Sequence, residues 1–285
     1  MNSEIIERYL ISNSKLIPVS EAGMFPKDSS RTIYEVIRVQ SGVPLFLERH
    51  MERLEISAGL TGNSIKAITD EVQSSIIELI KVNKNPDKNV KITVSNMENT
   101  VPDYMAYFVQ SKYPTCEEYQ NGVLGILLKE ERDNPNAKIV NSGFKERVAA
   151  ALADTKAYEA LLVNNNNEIT EGSRSNVFFV KNGAVSTAPK GNVLIGITRA
   201  SVFELCQELK IEITENPITT AMLEEMDGVF MTGTSPKILP IRTIDDMYFS
   251  SAENPIIKAL MKGYDDMVEE YIEKKNQLKV SRLEY

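Results

Sequence analysis

Histidine occurs once in this chain, at position 50, cysteine twice and tryptophan not at all. One histidine cannot build a multi-histidine zinc or iron centre, and Cys116 and Cys206 are too far apart for a CxxC cluster or a disulfide framework. No metal is expected. Long apolar runs are missing too. The longest, Val148 to Ala153, has six residues, against about 20 for a membrane-spanning helix. Met1 to Leu10 carries Glu4, Glu7 and Arg8 rather than a basic start and an apolar block, so it is not read as a signal peptide. With two unclustered cysteines, a reducing cytoplasm is the expected compartment. Thirty-two basic against 40 acidic side chains leave a net charge of −8. Phosphate neutralisation needs a basic surface, so a nucleic acid is not expected as a partner, and the short apolar runs leave a membrane unexpected too. Demanding chemistry would fall to lysine, tyrosine, carboxylates or a bound cofactor.

The 285 residues suffice for one large domain or two smaller ones. Ile33 to Val39 reads as a strand, Ser41-Gly42 as a turn and Val43 to Phe46 as a second strand. Leu47, Met51, Leu54 and Ala58 then recur at helical spacing, and Ile65, Ile68, Val72, Ile76, Leu79 and Ile80 mark a second helix. Val90 to Val94 and Tyr104 to Val109 read as strands. Residues 1–113 are thus expected to form a small α+β domain, 114–122 a linker without periodicity, and 123–285 a larger domain. In the latter Val123 to Leu128 is a strand, Phe144, Val148 and Leu152 mark a helix, and short strands separated by polar turns fill 160–185. A helix follows Thr198 and strands lie at Val229 to Thr232 and Ile238 to Ile241. Asn254-Pro255 starts a last helix, with Asn as cap and Pro in the first turn.

The most informative stretch is Glu171 to Arg199, EGSRSNVFFVKNGAVSTAPKGNVLIGITR. It joins a Gly/Ser turn after a strand to Gly196-Ile197-Thr198 at the start of a helix. A helix N-terminus presents free backbone N–H groups and the positive dipole end, which suits a phosphate. Taken locally, Thr198 reads as a plain helix cap and Glu171 as a plain turn carboxylate. The whole stretch resembles the signature of the class IV pyridoxal-phosphate aminotransferases. That group includes branched-chain and D-amino acid aminotransferases and aminodeoxychorismate lyase. The resemblance is carried by Glu171, Gly172, Ser175-Asn176, Phe178, Val180, Gly183, Thr187, Pro189 and Gly196-Ile197-Thr198-Arg199, and weaker echoes run from Tyr34 to Pro240.

The resemblance implies a two-domain α+β / α/β fold of the D-amino acid aminotransferase type, with a smaller N-terminal α+β domain and a larger C-terminal domain of short strands and helices, working as a homodimer with pyridoxal phosphate as cofactor. Such a cofactor needs a lysine, an acid at the ring nitrogen and a phosphate cup. Lys138, followed by Asn141, lies 33 residues before Glu171 and is the expected catalytic lysine in the larger domain. Lys145, 26 residues before it, is the rival. Glu171 is the expected acid. In ERHMERL, Arg53 matches a family arginine that grips the phosphate, and its planar fork suits that task. The backbone of Ile197 and Thr198, with Thr234 in a Gly-Thr turn and Asn176, completes the cofactor set, and His50 has no acid–base role. Alternation puts Tyr34, Val36 and Arg38 on one strand face, with Tyr34 and Arg38 the candidates for binding substrate.

The implied reaction moves an amino group between an amino acid, branched-chain-like or D-configured, and a 2-oxo acid such as 2-oxoglutarate. VSNMENTVPDY lacks the arginine and histidine that many D-amino acid aminotransferases carry there. Asn141 to Phe144 lacks the tyrosine usual in branched-chain enzymes. Two alternatives stand beside the aminotransferase: a lyase releasing pyruvate and 4-aminobenzoate from 4-amino-4-deoxychorismate, and a non-catalytic binding protein of the same fold.

Overall fold

The computed structural model describes residues 4–21, 32–132 and 135–281. They form two compact units. The first runs up to Lys112 and takes in Ala137–Val140 and the chain from Met267 on; the second comprises Tyr113–Asn136 and Asn141–Asp266.

The first unit holds β1 (Ile5–Ser12), β2 (Lys15–Pro18), β3 (Ile33–Gln40), β4 (Val43–Pro44), α1 (Leu47–Leu60), α2 (Thr69–Val82), β5 (Asn89–Ser95) and β6 (Asp103–Val109). Its described strands make one sheet in the order β2-β1-β6-β5-β3-β4, antiparallel throughout. Alternation in β3 turns Ile33, Glu35, Ile37 and Val39 inward and leaves Tyr34, Val36 and Arg38 half-buried on the other face. The inward apolar residues pack against Leu47, Met51, Leu54 and Ala58 of α1 and Val72, Ile76, Leu79 and Ile80 of α2. Each such side chain contributes about 1.5–3 kcal/mol on full burial, so this seam holds the unit together. Both helices lie where the apolar spacing places them.

β1 and β2 escape the sequence pattern. Glu7 takes a positive φ of 73°, and the pairing register with β6 shifts between Ile6 and Ile11. That bulge breaks the alternation by which a strand is read. The expected strand Val43 to Phe46 is only two residues long, because Phe46 turns left-handed (φ 51°) and opens α1.

The second unit holds α3 (Cys116–Asn121), β7 (Val123–Lys129), α4 (Ser142–Thr155), β8 (Glu159–Val163), β9 (Glu168–Gly172), β10 (Asn176–Lys181), β11 (Ala184–Thr187), α5 (Ile197–Glu208), β12 (Ile213–Glu215), β13 (Ile218–Thr219), β14 (Gly228–Gly233), β15 (Lys237–Ile244), β16 (Met247–Tyr248) and the start of α6 (Pro255–Ser281). Its described strands form a mixed sheet in the order β12-β11-β10-β14-β15-β7-β8-β9-β13, with β16 beside β15. Val177, Phe179, Val229 and Met231 join the apolar cluster on one face. On the other face Phe178 stacks on Phe230 at 5.0 Å and meets Phe203 of α5 edge-on. Asn254 accepts hydrogen bonds from the N–H groups of Ile256 and Ile257, as its cap position leads one to expect.

Two placements differ from the sequence reading. The stretch taken as a linker contains α3, closed by a capping box in which Thr115 and Glu118 satisfy each other's backbone N–H groups. No residue of α3 is buried, so it has no apolar stripe to betray it. Lys138, expected in the larger C-terminal domain, belongs to the first unit. Its segment runs beside β3: Ile139 bridges Ile33, and Tyr34 N–H donates to Lys138 O at 3.0 Å while Val140 N–H donates to Thr32 O at 3.0 Å. Ile139 packs against the first core, which gives the segment its apolar anchor. Among the described residues no helix is long and apolar enough to cross a membrane.

Candidate active site

In the first unit the candidate residues gather around β3. The Lys138 N–H donates to Ser57 Oγ of α1 at 3.3 Å, and its ammonium sits 4.8 Å from the centre of the Tyr34 ring. Lys138 is half-buried, whereas Lys145 is exposed on α4. Tyr34, chosen as a substrate candidate from strand alternation, therefore touches the lysine, and Arg38 shares its face of the sheet.

The opposite face of β3 carries a charge that the apolar pattern leaves unexplained. Glu35 is fully buried, and α1 supplies its partners one turn apart. Arg53 Nε donates to Oε1 and Nη2 to Oε2, both at 2.7 Å. His50 Nδ1 lies 2.7 Å from Oε2. Burial alone would raise the Glu35 pKa. The Arg53 charge and the hydrogen bonds from His50 and Arg53 outweigh it and hold the carboxyl well below the usual range. Burial pushes the imidazole down; Glu35 opposes this, and the charges of Arg53 and Lys138 reinforce it. His50 is thus a neutral donor through Nδ1 to an ionised carboxylate. Arg53, expected at the phosphate, has two of its donors committed to Glu35.

In the second unit Glu171 is the penultimate residue of β9 and is 3 % exposed. Its Oε1 lies 2.9 Å from Arg132 Nε, an ion pair whose angle does not meet hydrogen-bond geometry. Its Oε2 accepts the Leu194 N–H at 3.1 Å. Arg132 also donates through Nη2 to Ser173 O at 2.5 Å and lies 4.6 Å from the Phe144 ring centre.

Asn176 of β10, nearly fully buried, donates to Leu194 O at 2.8 Å. A Cβ on Gly196 would fall 2.2 Å from Asn176 Oδ1, so only glycine lets the chain enter α5 this close to that side chain. Gly196 is the N-cap of α5, and no side chain caps the helix. Thr198 is buried, with Oγ1 3.4 Å from Tyr264 Oη. Thr232 pairs with Asn176 across β14 and β10, and its buried Oγ1 makes no hydrogen bond. Thr234 is half-buried in the turn after β14.

These features fit a phosphorylated pyridine cofactor. A helix N-terminus without a side-chain cap offers backbone donors for a phosphate, the nearby Thr232 hydroxyl is buried without a partner, and Glu171 is a buried carboxylate able to accept from a protonated ring nitrogen. Lys138 and Arg53 lie in the first unit and Glu171, Asn176, Ile197, Thr198 and Thr234 in the second. Glu35 and Arg132 were not anticipated. Glu35 had a signal, a charge at an inward position of an apolar strand. Arg132 had none, since its partners Glu171 and Ser173 are distant in sequence.

The amino-transferase class IV family model matches residues 32–244. The D-alanine aminotransferase of Bacillus licheniformis is 28 % identical over 275 residues, covering 91 % of this chain and 96 % of its own. Among solved structures, the branched-chain amino acid aminotransferase of Escherichia coli superposes with a TM-score of 0.82 at 21 % identity, covering 92 % of this chain and 95 % of that one. A putative 4-amino-4-deoxychorismate lyase of Legionella pneumophila does so with 0.76 at 24 %, covering 85 % and 96 %. The motif, the fold and a match over most of the length agree: the chain belongs to the class IV aminotransferases, enzymes that work with pyridoxal phosphate.

Proposed function

We propose that this enzyme transfers an amino group between an amino acid, branched-chain or D-configured, and a 2-oxo acid such as 2-oxoglutarate, with Lys138 as its catalytic lysine. The observation that carries the assignment is the seat of Lys138: half-buried, held by backbone bonds to β3 and a bond to Ser57, with its ammonium on the Tyr34 ring. Lys145, the alternative, is exposed on α4.

Pyridoxal phosphate, when bound, supplies an aldehyde for the lysine and a ring that accepts the electrons left at the substrate's Cα. Lys138 Nζ would hold the cofactor and would serve as the base that takes the proton from the substrate's Cα. Glu171, a buried carboxylate, would accept from the ring nitrogen and favour its protonated form. The amides of Ile197 and Thr198, with Thr234, Asn176 and Arg53, would hold the phosphate end. Glu35 ties two donors of Arg53 and meets the His50 Nδ1. Tyr34 and Arg38 line the substrate side. The enzyme works as a homodimer in the cytoplasm.

A half-reaction screen tests the assignment. The holoenzyme is mixed with L- and D-amino acids one at a time, and the visible band of the lysine-bound cofactor is followed. Decay of the band with one stereochemical series, restored by 2-oxoglutarate, is expected. Lys138→Ala should lose the band and turnover while Lys145→Ala keeps both; the reverse pattern sinks the lysine assignment. The likeness to a putative lyase, with the missing arginine, histidine and tyrosine, keeps a second reading in play. Formation of 4-aminobenzoate and pyruvate from 4-amino-4-deoxychorismate without any 2-oxo acid would replace the transferase by that lyase.

A further inference from the structure

Beside the turn that follows Glu171 lies a second carboxylate. Glu159 opens β8 and is 0 % exposed. Its hydrogen-bond partners are all neutral. Oε1 accepts from Ser173 Oγ at 2.5 Å, from the Ser173 N–H at 3.1 Å and from the Ala160 N–H at 2.9 Å; Oε2 accepts from Ser175 Oγ at 2.8 Å. Gly172 is wedged between these groups: a Cβ there would fall 2.0 Å from Ser175 Oγ and 3.0 Å from Glu159 Cδ. The turn is closed around the carboxylate with no room for a side chain at 172.

A buried carboxylate is expensive unless its lone pairs are met. Here an acceptor-only group meets two hydroxyls and two N–H groups, which makes both serine hydroxyls donate inward and leaves the turn a single arrangement. The Ser173 carbonyl then faces Arg132 Nη2, and Arg132 Nε faces Glu171 Oε1. A continuous path runs from Glu159 through Ser173 and Arg132 to Glu171.

We propose that Glu159 is a positioning residue for the acid at the cofactor's ring nitrogen: it locks Ser173, Ser173 orients Arg132, and Arg132 sets the direction of the Glu171 carboxylate. This role rests on Glu171 being the ring-nitrogen partner, as proposed above. A misplacement of the order of 1 Å at such a contact costs up to about a hundredfold in rate, so a residue touching neither cofactor nor substrate still registers in the chemistry.

The experiment reconstitutes the full-length enzyme with pyridoxal phosphate labelled with ¹⁵N in the ring and reads the nitrogen chemical shift, alongside kcat, KM and the melting temperature. Glu171→Gln is the control and should move the nitrogen signal to the unprotonated range. Glu159→Gln should move it part of the way and lower kcat about tenfold, with KM for the amino donor within about twofold. Arg132→Gln should do the same, and the double variant should be no worse than the worse single, because all act through one path. Should Glu159→Gln not fold, Ser175→Ala removes a single donor and carries the same expectation at about threefold. A Glu159→Gln enzyme with an unchanged nitrogen signal and kcat but a lower melting temperature would show a purely structural carboxylate and overturn the proposal. If Glu171→Gln itself leaves the nitrogen protonated, Glu171 is not the partner, and that failure is visible separately, before any Glu159 variant is compared.

Discussion

Glu35 in the first unit and Glu159 in the second are both fully buried carboxylates, yet the chain stabilises them in opposite ways. Glu35 meets a bidentate arginine and an imidazole; Glu159 meets hydroxyls and amides. The first arrangement joins a strand to a helix by charge. It ties the Arg53 guanidinium down before any anion arrives. The second spends no cation, so the nearby Arg132 remains available to Glu171. The teaching is that a buried charge serves two ends: compensated by ions it fixes another charge in space, and surrounded by neutral donors it fixes the backbone.

If that contrast is right, the largest loss of stability should come from Glu35→Ala. Breaking a buried ion pair on one side leaves an uncompensated charge and costs about 3–5 kcal/mol. Glu159→Ala instead frees two hydroxyls that can turn to other partners and two N–H groups, one of which, from Ser173, also donates to Ala160 O at 2.8 Å; about 2 kcal/mol is expected. Urea unfolding of the two variants side by side measures the difference, and equal losses would erase the distinction. Arg53→Ala comes next. It breaks the same buried pair from the other side and leaves the Glu35 carboxylate uncompensated, so a comparable stability loss of about 3–5 kcal/mol is expected, and its distinguishing signature is a cofactor dissociation constant raised about tenfold or more with the amino-donor preference unchanged. An unaltered cofactor affinity would leave Arg53 as a partner of Glu35 alone.

The buried cluster also predicts an acid sensitivity in the first unit. Glu35 is held below its ordinary value of 4.5 and His50 below its ordinary 6.5. For both, the unfolded chain takes up a proton before the folded one does, so the stabilising contribution is complete above the unfolded value and is lost as the pH falls toward the folded one. Stability should therefore decline in two stages, below about pH 6.5 from His50 and below about pH 4.5 from Glu35. Glu35→Gln should shrink the lower stage, leaving the part due to other carboxylates held below their ordinary value, such as Glu215 beside Arg199. Denaturant midpoints measured between neutral and acid pH check this, and a lower stage of unchanged size in Glu35→Gln would place it wholly in other carboxylates.

How much of this could be read beforehand depended on whether a residue's partner was near in sequence. The stripe Leu47, Met51, Leu54, Ala58 placed α1 because four residues on one helix share a single core. Alternation in β3 sorted Tyr34 from Glu35 correctly, and Tyr34 then proved to touch Lys138. Lys138 and Glu171 came from a motif whose spacing is preserved in the chain. Arg132 and Glu159 carry no such mark, since each matters through Ser173, 41 and 14 residues away, and only the fold brings them together. The α3 helix carries no apolar period, since none of its residues is buried, although its capping pair Thr115 and Glu118 stands in plain order.

The smallest expected effect is also the cleanest discriminator between stability and cofactor binding in the second unit. Thr232 lies on the strand position opposite Asn176, and its buried hydroxyl makes no hydrogen bond. A buried donor without a partner costs about 1–3 kcal/mol, and valine fills the same volume without that cost. Thr232→Val should therefore stabilise the cofactor-free protein by about 1 kcal/mol, read as a modest rise in its melting temperature. If the hydroxyl is held in reserve for the cofactor's phosphate, the gain should vanish or reverse once pyridoxal phosphate is bound, and the dissociation constant should rise about fivefold. A gain of equal size with and without the cofactor would mean that the hydroxyl serves neither the fold nor the phosphate, and that the backbone donors at the start of α5 hold that end of the cofactor without it.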